Sequence, residues 1–442
     1  MITAITLNSF KSYRDARLPL GALTVLIGAN ASGKSNAIEG LRLLSWLAQG
    51  QKLSSIQYAV QESEKVVRGR IADLGYLKSS SFTLGCETDM PEWNTLTMKL
   101  QSRQDGLHII AESITTPGQT VPLYDLDRAS EAAGSDARIA YNNFTKGGNK
   151  PHTTCNDQLA IFTQLDSPAR FDAAHKRAQQ VIPETVKRYQ NWLGKILFLD
   201  PAPARMRDYS FTSDRQLLGD GTHLSSVLYA LWGEEQQAME EPFKSHRAAI
   251  LQFIQSLPEQ DIETLSFLSG PRGEVMVELV ETFGGVPRHY DASLLSDGTL
   301  RVLAIAAAML SATEGSLVVI EEIDNGVHPS RAKHLLDEIE SIAKRRQLRV
   351  LLSTHNPAML DALPDSAIPD VLFCYRDPHN GSSRIVRLQD VPGYPELIAQ
   401  GSLGHLMTSG LMERFVKFHP GSEKRKSDAL AWLHSMRSGV AG

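Results

Sequence analysis

The segment Gly28-Ala29-Asn30-Ala31-Ser32-Gly33-Lys34-Ser35 constrains this chain more than any other. It matches the pattern GxxxxGK[ST]. Glycines there let a backbone wrap phosphate oxygens, and the amides and dipole of the following helix favour negative charge. In such a loop Lys34 reaches the outer phosphates and the Ser35 hydroxyl ligates Mg²⁺. A match of this kind arises by chance in roughly one chain in fifty of this length, and an ordinary Gly-rich turn would also satisfy it. The flanks decide the matter. Leu23 to Ile27 is a short apolar run ending at a glycine, as a buried strand does, and Asn36 to Ala48 carries Ile38, Leu41, Leu44, Trp46 and Leu47 at helical spacing.

Three further segments carry chemistry. Leu317-Val318-Val319-Ile320 reads as a buried strand running into Glu321 and Glu322. One carboxylate there suits the metal side and the next suits polarising a water, so Glu321 is assigned to Mg²⁺ and Glu322 to the water. A buried strand leaving into a solvated acidic turn has the same pattern. Leu295-Ser296-Asp297-Gly298-Thr299-Leu300-Arg301 precedes an apolar helix, which Ser296 or Asp297 would cap. A capped helix start is also an anion site. Ser353-Thr354-His355-Asn356-Pro357 follows the buried strand Val350 to Ser353, and a histidine just past such a strand points towards a ligand crevice. A surface-loop histidine is the plainer reading of His355 taken alone.

Composition limits the rest. The 442 residues predict about three domains or one large interrupted one. With 42% hydrophobic and 21% charged residues, a sizeable core forms and wholesale disorder is excluded. The net charge of −5 excludes a chain coated for nucleic acid, though not a local basic patch. Cys86, Cys155 and Cys374 are scattered, which argues against a disulfide framework or a cysteine zinc site and fits a reducing cytoplasm. Met1 to Tyr13 lacks the pattern of a signal peptide. The longest apolar run, Val302 to Leu310, is too short to span a bilayer, so no membrane association is expected.

Along the chain, strands are expected at Ile2–Phe10, Ser81–Thr88, Thr95–Ser102, Leu107–Ile114, Ile196–Leu199 and Val275–Glu281, the last turned by Gly284-Gly285. Residues 115–154, rich in Gly, Asn, Ser, Thr and Asp, read as long loops with one short helix. Helices are expected at Phe171–Trp192, kinked or divided by Pro183, and at Ser225–Trp232, Ala249–Ser256, Leu300–Ser311 and Arg331–Arg346. Strands alternating with helices imply a sheet with helical cover. There is no internal repeat and no sustained heptad.

Taken together, these segments resemble an ABC-type ATPase head of the RecF, SMC and overcoming-lysogenization-defect (OLD-like) group within the AAA ATPases. Asn8 to Tyr13, containing Lys11 and Ser12, resembles the strand and turn before the phosphate loop. Gly28 to Asn36, with Asn30 and Asn36, is closer to this branch than to transporter ATPases. Leu295 to Arg301 resembles the signature motif, Glu321 to Pro329 the Walker B motif and D-loop, and Ser353-Thr354-His355 the switch histidine. Gly221-Thr222-His223-Leu224 resembles a segment common in small bacterial members. Asp297 stands where the commonest form has Gly, and Glu321 where Asp is usual. The resemblance is specific over about residues 1–48 and 290–376, and the region after Ile196–Leu199 is the candidate for the Q-loop.

The resemblance implies an α/β fold: a P-loop ABC-type head, a mixed sheet with helical cover, interrupted by a large α+β insertion. The expected division is 1–48 (head, Walker A), 49–195 (inserted lobe), 196–290 (second part of the insertion), 291–376 (head, with signature, Walker B and switch histidine) and 377–442 (partly helical tail). It implies ATP and Mg²⁺ as ligands. Lys11, Ser12, Gly28, Asn30, Ser32, Gly33, Lys34, Ser35 and Asn36 would hold the nucleotide, with Ser296 and Gly298 reaching it from a second subunit. Ser35 and Glu321 would serve the metal, and Glu322 and His355 the catalysis. The dimer would close around ATP, with higher oligomers compatible.

The function expected is an ATP-hydrolysing switch in DNA maintenance or anti-phage defence, controlling a separate effector such as a nuclease encoded nearby. The alternative is a RecF-like repair ATPase that binds double-stranded DNA directly. The tail after Arg376 has no DxD pair, so no Toprim nuclease is expected. The basic clusters Lys344-Arg345-Arg346, Lys424-Arg425-Lys426 and Arg205 with Arg207 read first as solvated charge.

Overall fold

The computed structural model describes residues 1–56, 66–131, 134–233, 240–254, 262–284 and 286–418. The N-terminal part holds β1 (Ile2–Phe10), β2 (Tyr13–Pro19), β3 (Leu23–Ile27) and α1 (Lys34–Ala48). A run of strands follows: β4 (Ser81–Thr88), β5 (Thr95–Arg103), β6 (Gly106–Thr115), β7 (Tyr124–Arg128), β8 (Asp136–Tyr141) and β9 (His152–Asn156). The middle contains α2 (Lys176–Gly194), β10 (Leu197–Leu199), β11 (Ser210–Phe211), α3 (Leu224–Trp232), α4 (Phe243–Ile254), β12 (Ile262–Ser269), β13 (Glu274–Phe283) and β14 (Val286–Asp291). The last third holds α5 (Asp297–Ser311), β15 (Leu317–Ile320), α6 (Ala332–Arg345), β16 (Arg349–Ser353), β17 (Val371–Arg376) and β18 (Ser383–Arg387), followed by short helices to Phe418.

The expected α/β class, a mixed sheet with helical cover, is what forms. One sheet runs β10-β15-β16-β3-β17-β18-β2-β1-β4-β5-β6-β7-β8-β9. From β10 to β17 its pairings are parallel, and from β1 outward they are antiparallel. The parallel strands are apolar on both faces because helices cover both. Successive side chains alternate between two cores. Leu26, Leu317, Val319 and Leu351 join a core shared with α1, α2 and the antiparallel strands. Val25, Ile27, Val318, Ile320, Val350 and Leu352 join the core of α3, α4, α5 and α6. A smaller sheet of β11, β12, β13 and β14 packs on α3.

Two local expectations are corrected. Residues 115–154 form β7, β8 and β9 rather than loops. The buried set Tyr124, Leu126, Ala137, Ile139, Tyr141 and Cys155 alternates with exposed or half-exposed polar residues, and the intervening Gly- and Asn-rich turns hide that period in the sequence. α2 is not divided: it runs through Pro183. Its buried stripe of Ala178, Ile182, Val186, Tyr189 and Leu193 docks beside α1 and offsets the local cost of proline, about 3 kcal/mol.

Glu112 in β6 ties the antiparallel half together. Its buried carboxylate accepts from the Tyr124 hydroxyl at 2.6 Å and from the amides of Ile161 and Phe162 at 2.8 and 2.7 Å. Burial nonetheless pushes this carboxyl up from 4.5 to about 7. Below 4.5 both folded and unfolded chains hold the proton. Between 4.5 and 7 only the unfolded chain releases it, so rising pH favours unfolding through this group. Urea unfolding at pH 5 and pH 8 should show Glu112→Gln gaining on the parent protein at the higher pH, by on the order of 2–3 kcal/mol. An identical pH dependence in the two proteins would refute the assignment.

Candidate functional site

The parallel strands β10, β15, β16, β3 and β17 end on one edge of the sheet, where ligands bind in open α/β sheets. In spatial order the residues beyond those ends are Asp200, Glu321 and Glu322, Thr354 and His355, the loop from Gly28, and Asp377 after Arg376. Residues remote in sequence thus meet because strand order places them side by side.

The loop 28–33 is shaped by its neighbours. Gly28 and Gly33 have φ of 146° and 121°. A Cβ on Gly28 would lie 2.1 Å from the Cys374 carbonyl oxygen, and one on Gly33 would lie 2.4 Å from Ser383 Oγ. The Tyr13 hydroxyl donates to Gly33 O at 3.0 Å, and Cys374 Sγ donates to Ser32 O at 3.3 Å. Ser383 Oγ lies 2.6 Å from Ser32 O and 2.8 Å from Ser12 Oγ, to which Asn36 Nδ2 also donates. Ahead of this cradle, α1 starts with no side-chain cap and no acidic residue in its first turn, so its first amides stay open to an anion. Ser32 Oγ is buried and has no hydrogen-bond partner. Lys34 Nζ folds back on the carbonyls of Gly28 and Ala29 at 2.6 and 3.1 Å. Burial holds this ammonium below its usual range, against the fields of Cys374, Glu322 and Asp324. Asn30 and Ser35 are exposed at the loop's mouth.

Across from the loop, Glu321 Oε1 accepts from Arg42 Nη2 at 2.6 Å, and its backbone N–H donates to Leu199 O. Burial raises its carboxyl, and Arg42 opposes the shift. Glu322 is exposed, has φ of 47°, and is fixed by Ser353 Oγ at its N–H and by Asn325 Nδ2 at its carboxylate. Asp200, at the end of β10, is also raised, by burial first and then by Glu322. The Thr354 hydroxyl donates to Asp324 at 2.6 Å, and His355 Nδ1 lies 3.5 Å from the same carboxylate.

Ser296 caps α5: its Oγ accepts from Thr299 N at 3.1 Å. The helix start touches the turn after β15, since a Cβ on Gly298 would lie 2.3 Å from Gly326 O. Among the described residues, no hydrogen bond or ion pair joins Ser296 or Gly298 to the loop 28–36. The loop before α5 is held by Arg207, which donates to the carbonyls of Ala292, Ser293 and Leu295 and to Asp297 Oδ1 at 2.6 Å.

The sequence-predicted residues therefore form two groups. Lys11, Ser12, Gly28, Asn30, Ser32, Gly33, Lys34, Ser35, Asn36, Glu321, Glu322 and His355 line one edge, while Ser296 and Gly298 meet the turn after β15 and make no hydrogen bond to the loop 28–36. Tyr13, Cys374, Ser383, Arg42, Asp200 and Arg207 were not recognised as site residues from sequence. Tyr13 closes a recognised segment, Asp200 follows an expected strand and Arg207 belongs to a basic cluster; Cys374, Ser383 and Arg42 carry no local signal of a site role. Within the basic clusters, Arg207 and Arg346 are committed internally. Arg346 donates to the carbonyls of Met309, Leu310 and Ala312 at the end of α5, and Lys344 pairs with Glu340. Lys424-Arg425-Lys426 lies outside the described residues.

These residues fit a phosphate group: glycines that a Cβ would close, open helix amides and an orphaned buried hydroxyl. No group of three or more His, Cys, Asp or Glu residues able to hold a metal occurs among the described residues. That is compatible with Mg²⁺, which is commonly bound through few protein oxygens together with phosphates and water. No described helix is long and apolar enough to cross a membrane.

Solved structures similar to the chain include an Smc head bound to the C-winged helix domain of ScpA, 13% identical, covering 87% of this chain and 97% of that one with a TM-score of 0.47. The SMC head domain from Thermotoga maritima is 13% identical and covers 87% and 98%, with a TM-score of 0.37. An Smc head with a coiled coil and joint from Pyrococcus yayanosii is 10% identical and covers 93% and 99%, with a TM-score of 0.42. No curated protein matches. A family model described as "AAA domain, putative AbiEii toxin, Type IV TA system" matches residues 23–110 and 162–361, more than half of the chain. The chain belongs to this family of AAA domains.

Proposed function

We propose that this chain is an ABC-type ATPase of the RecF, SMC and OLD-like group that binds ATP with Mg²⁺, hydrolyses it, and acts as a dimeric switch on a separate effector in DNA maintenance or anti-phage defence. The observation that carries the reading is the open glycine cradle with its unpartnered Ser32 hydroxyl, facing carboxylates at the ends of adjacent parallel strands.

In this reading Lys34 leaves the loop carbonyls to meet the outer phosphates, and Ser35 and Glu321 serve the metal side. Mg²⁺, when bound, neutralises charge on the phosphate oxygens. Glu322, held by Ser353 and Asn325, orients and polarises the attacking water. His355 senses the terminal phosphate from beside Asp324. Ser296 and Gly298, which make no hydrogen bond to their own chain's phosphate loop, reach the nucleotide of a second subunit. The head then comprises residues 1–48 and 291–376 together with β10 and β18, which pair into its sheet, and the remainder of 49–195 and of 196–290 forms the inserted lobes that offer surface to a partner. The continuity of the head's sheet into β4–β9 supports a stiff link to the first lobe.

The toxin–antitoxin wording of the family description supports a paired system with an effector. The internal commitment of Arg207 and Arg346 weighs against the direct DNA-binding alternative. ATP turnover measured with and without duplex DNA, with Lys34→Ala as the blank, tests the choice. The expected result is DNA-independent turnover. Strong stimulation by DNA would favour the repair reading, and no turnover above the blank would overturn both.

Two variants follow from the geometry. Glu322→Gln should bind ATP, lose about 10²–10⁴-fold in turnover, and accumulate as a dimer in size-exclusion chromatography with ATP. Unchanged turnover would remove Glu322 from the water. Arg207→Ala should keep the ATP affinity of the isolated subunit, yet lose on the order of tenfold or more in turnover, because the loop before α5 loses its ties. Equal loss of affinity and turnover would count against a role confined to that loop.

A further inference from the structure

We propose that Leu77 is the surface on which the flat base of a bound nucleoside phosphate rests, making the turn Tyr76–Lys78 the base-recognition element of the site. The inference builds on the nucleotide reading above and names a part of the site that the motifs do not contain.

A cavity of about 580 Å³ opens beside the phosphate loop, with Lys11, Ser12, Asn36, Tyr76, Leu77 and Arg376 among its walls. Its size suits a small-molecule ligand. It is joined to the cradle through Ser12, whose Oγ accepts from Asn36 and lies beside the Ser383 hydroxyl that reaches Ser32 O. A nucleoside attached to phosphates in the cradle would extend into this space.

Many polar groups in the walls already have partners. Lys11 and Arg68 both pair with Glu39, Asp73 bonds Arg70, and Asn36 bonds Ser12. A base has polar edges but apolar faces, and a face needs an apolar surface. Leu77 provides one: it is 82% exposed, the largest exposure among the large hydrophobic residues described.

Its backbone makes the exposure harder to explain by chance. Leu77 and Lys78 have φ of 49° and 62°, a region where Gly or Asn would be expected. The turn is nevertheless held firmly. Lys78 N–H donates to Gly75 O at 3.1 Å and Ser79 N–H to Tyr76 O at 3.0 Å. Lys11 N–H donates to Leu74 O at 2.7 Å, and Phe10 bridges to Gly75. Leu77 is thus fixed to the same β1–β2 turn that carries Lys11 and Ser12. An apolar side chain held outward on a strained, rigid turn at a cavity rim fits a contact made only when ligand is present.

The experiment is calorimetric titration with Mg-ADP and with Mg-pyrophosphate, neither of which needs turnover. Leu77→Ser should weaken ADP about five- to tenfold, the loss expected for uncovering part of a leucine, and leave pyrophosphate within about twofold. Leu77→Met should restore ADP affinity, since it keeps the apolar surface. Unchanged ADP affinity in Leu77→Ser would overturn the proposal and leave Leu77 to another partner. Equal weakening of both ligands would also overturn it, because the turn would then be only structural. A parent protein that binds pyrophosphate as tightly as ADP would refute base recognition while sparing the phosphate loop. Failure of the parent to bind either ligand would refute the nucleotide reading itself.

Discussion

The small hydrogen bonds beneath the phosphate loop hold the site open. Tyr13, Cys374 and Ser383 come from β2, β17 and β18, and each addresses a carbonyl of Ser32 or Gly33. Such bonds contribute about 1 kcal/mol net, but orphaning a buried partner costs about 1–3 kcal/mol. The loop therefore cannot relax without leaving several buried groups unpaired. Burial pushes the Tyr13 phenol and the Cys374 thiol up, so both keep their protons and remain donors. The loop sequence supplies the glycines, and the rest of the fold supplies the shape.

Strand order sets the second dimension. β16 lies between β3 and β15, so the Glu321–Glu322 end sits two strand spacings, roughly 10 Å, from the strand that feeds the loop. That gap accommodates a phosphate and a water. Thr354 and His355 leave β16 in the middle of it. On the far side, β10 brings Asp200 beside the carboxylates, and Arg42 reaches from α1 to neutralise Glu321. Like charges would otherwise crowd this edge, and the raised carboxyls of Glu321 and Asp200 express that pressure together with burial.

The parts legible in the sequence were those with a local period or motif. Leu23–Ile27, Leu317–Ile320 and the loop between Gly28 and Ser35 announce themselves because buried parallel strands are short apolar runs that end in functional loops. β7 to β9 did not, since their alternation is spread over short strands between polar turns. β17 and β18 carry no motif of their own. Cys374, legible only as a sign of a reducing environment, lies against the loop because strand pairing puts it there. Arg42 sits on an expected helix, but nothing in helical spacing names Glu321 as its partner.

The arginines show the same dependence on tertiary placement. Read along the chain, Arg207 and Arg346 are surface charge. In the fold they close the two ends of one helix: Arg207 holds the loop before α5, and Arg346 binds the carbonyls at its end. A guanidinium suits both places because its several donors satisfy converging acceptors at once. Arg207 also follows Asp200 by only a short helical turn, Pro203–Met206. The segment that ends beside the carboxylates is therefore the segment that fixes the capped start of α5. One side chain, Arg207, thus ties the stretch that follows Asp200 to the loop that carries Ser296, so the placement of both depends on the same set of hydrogen bonds.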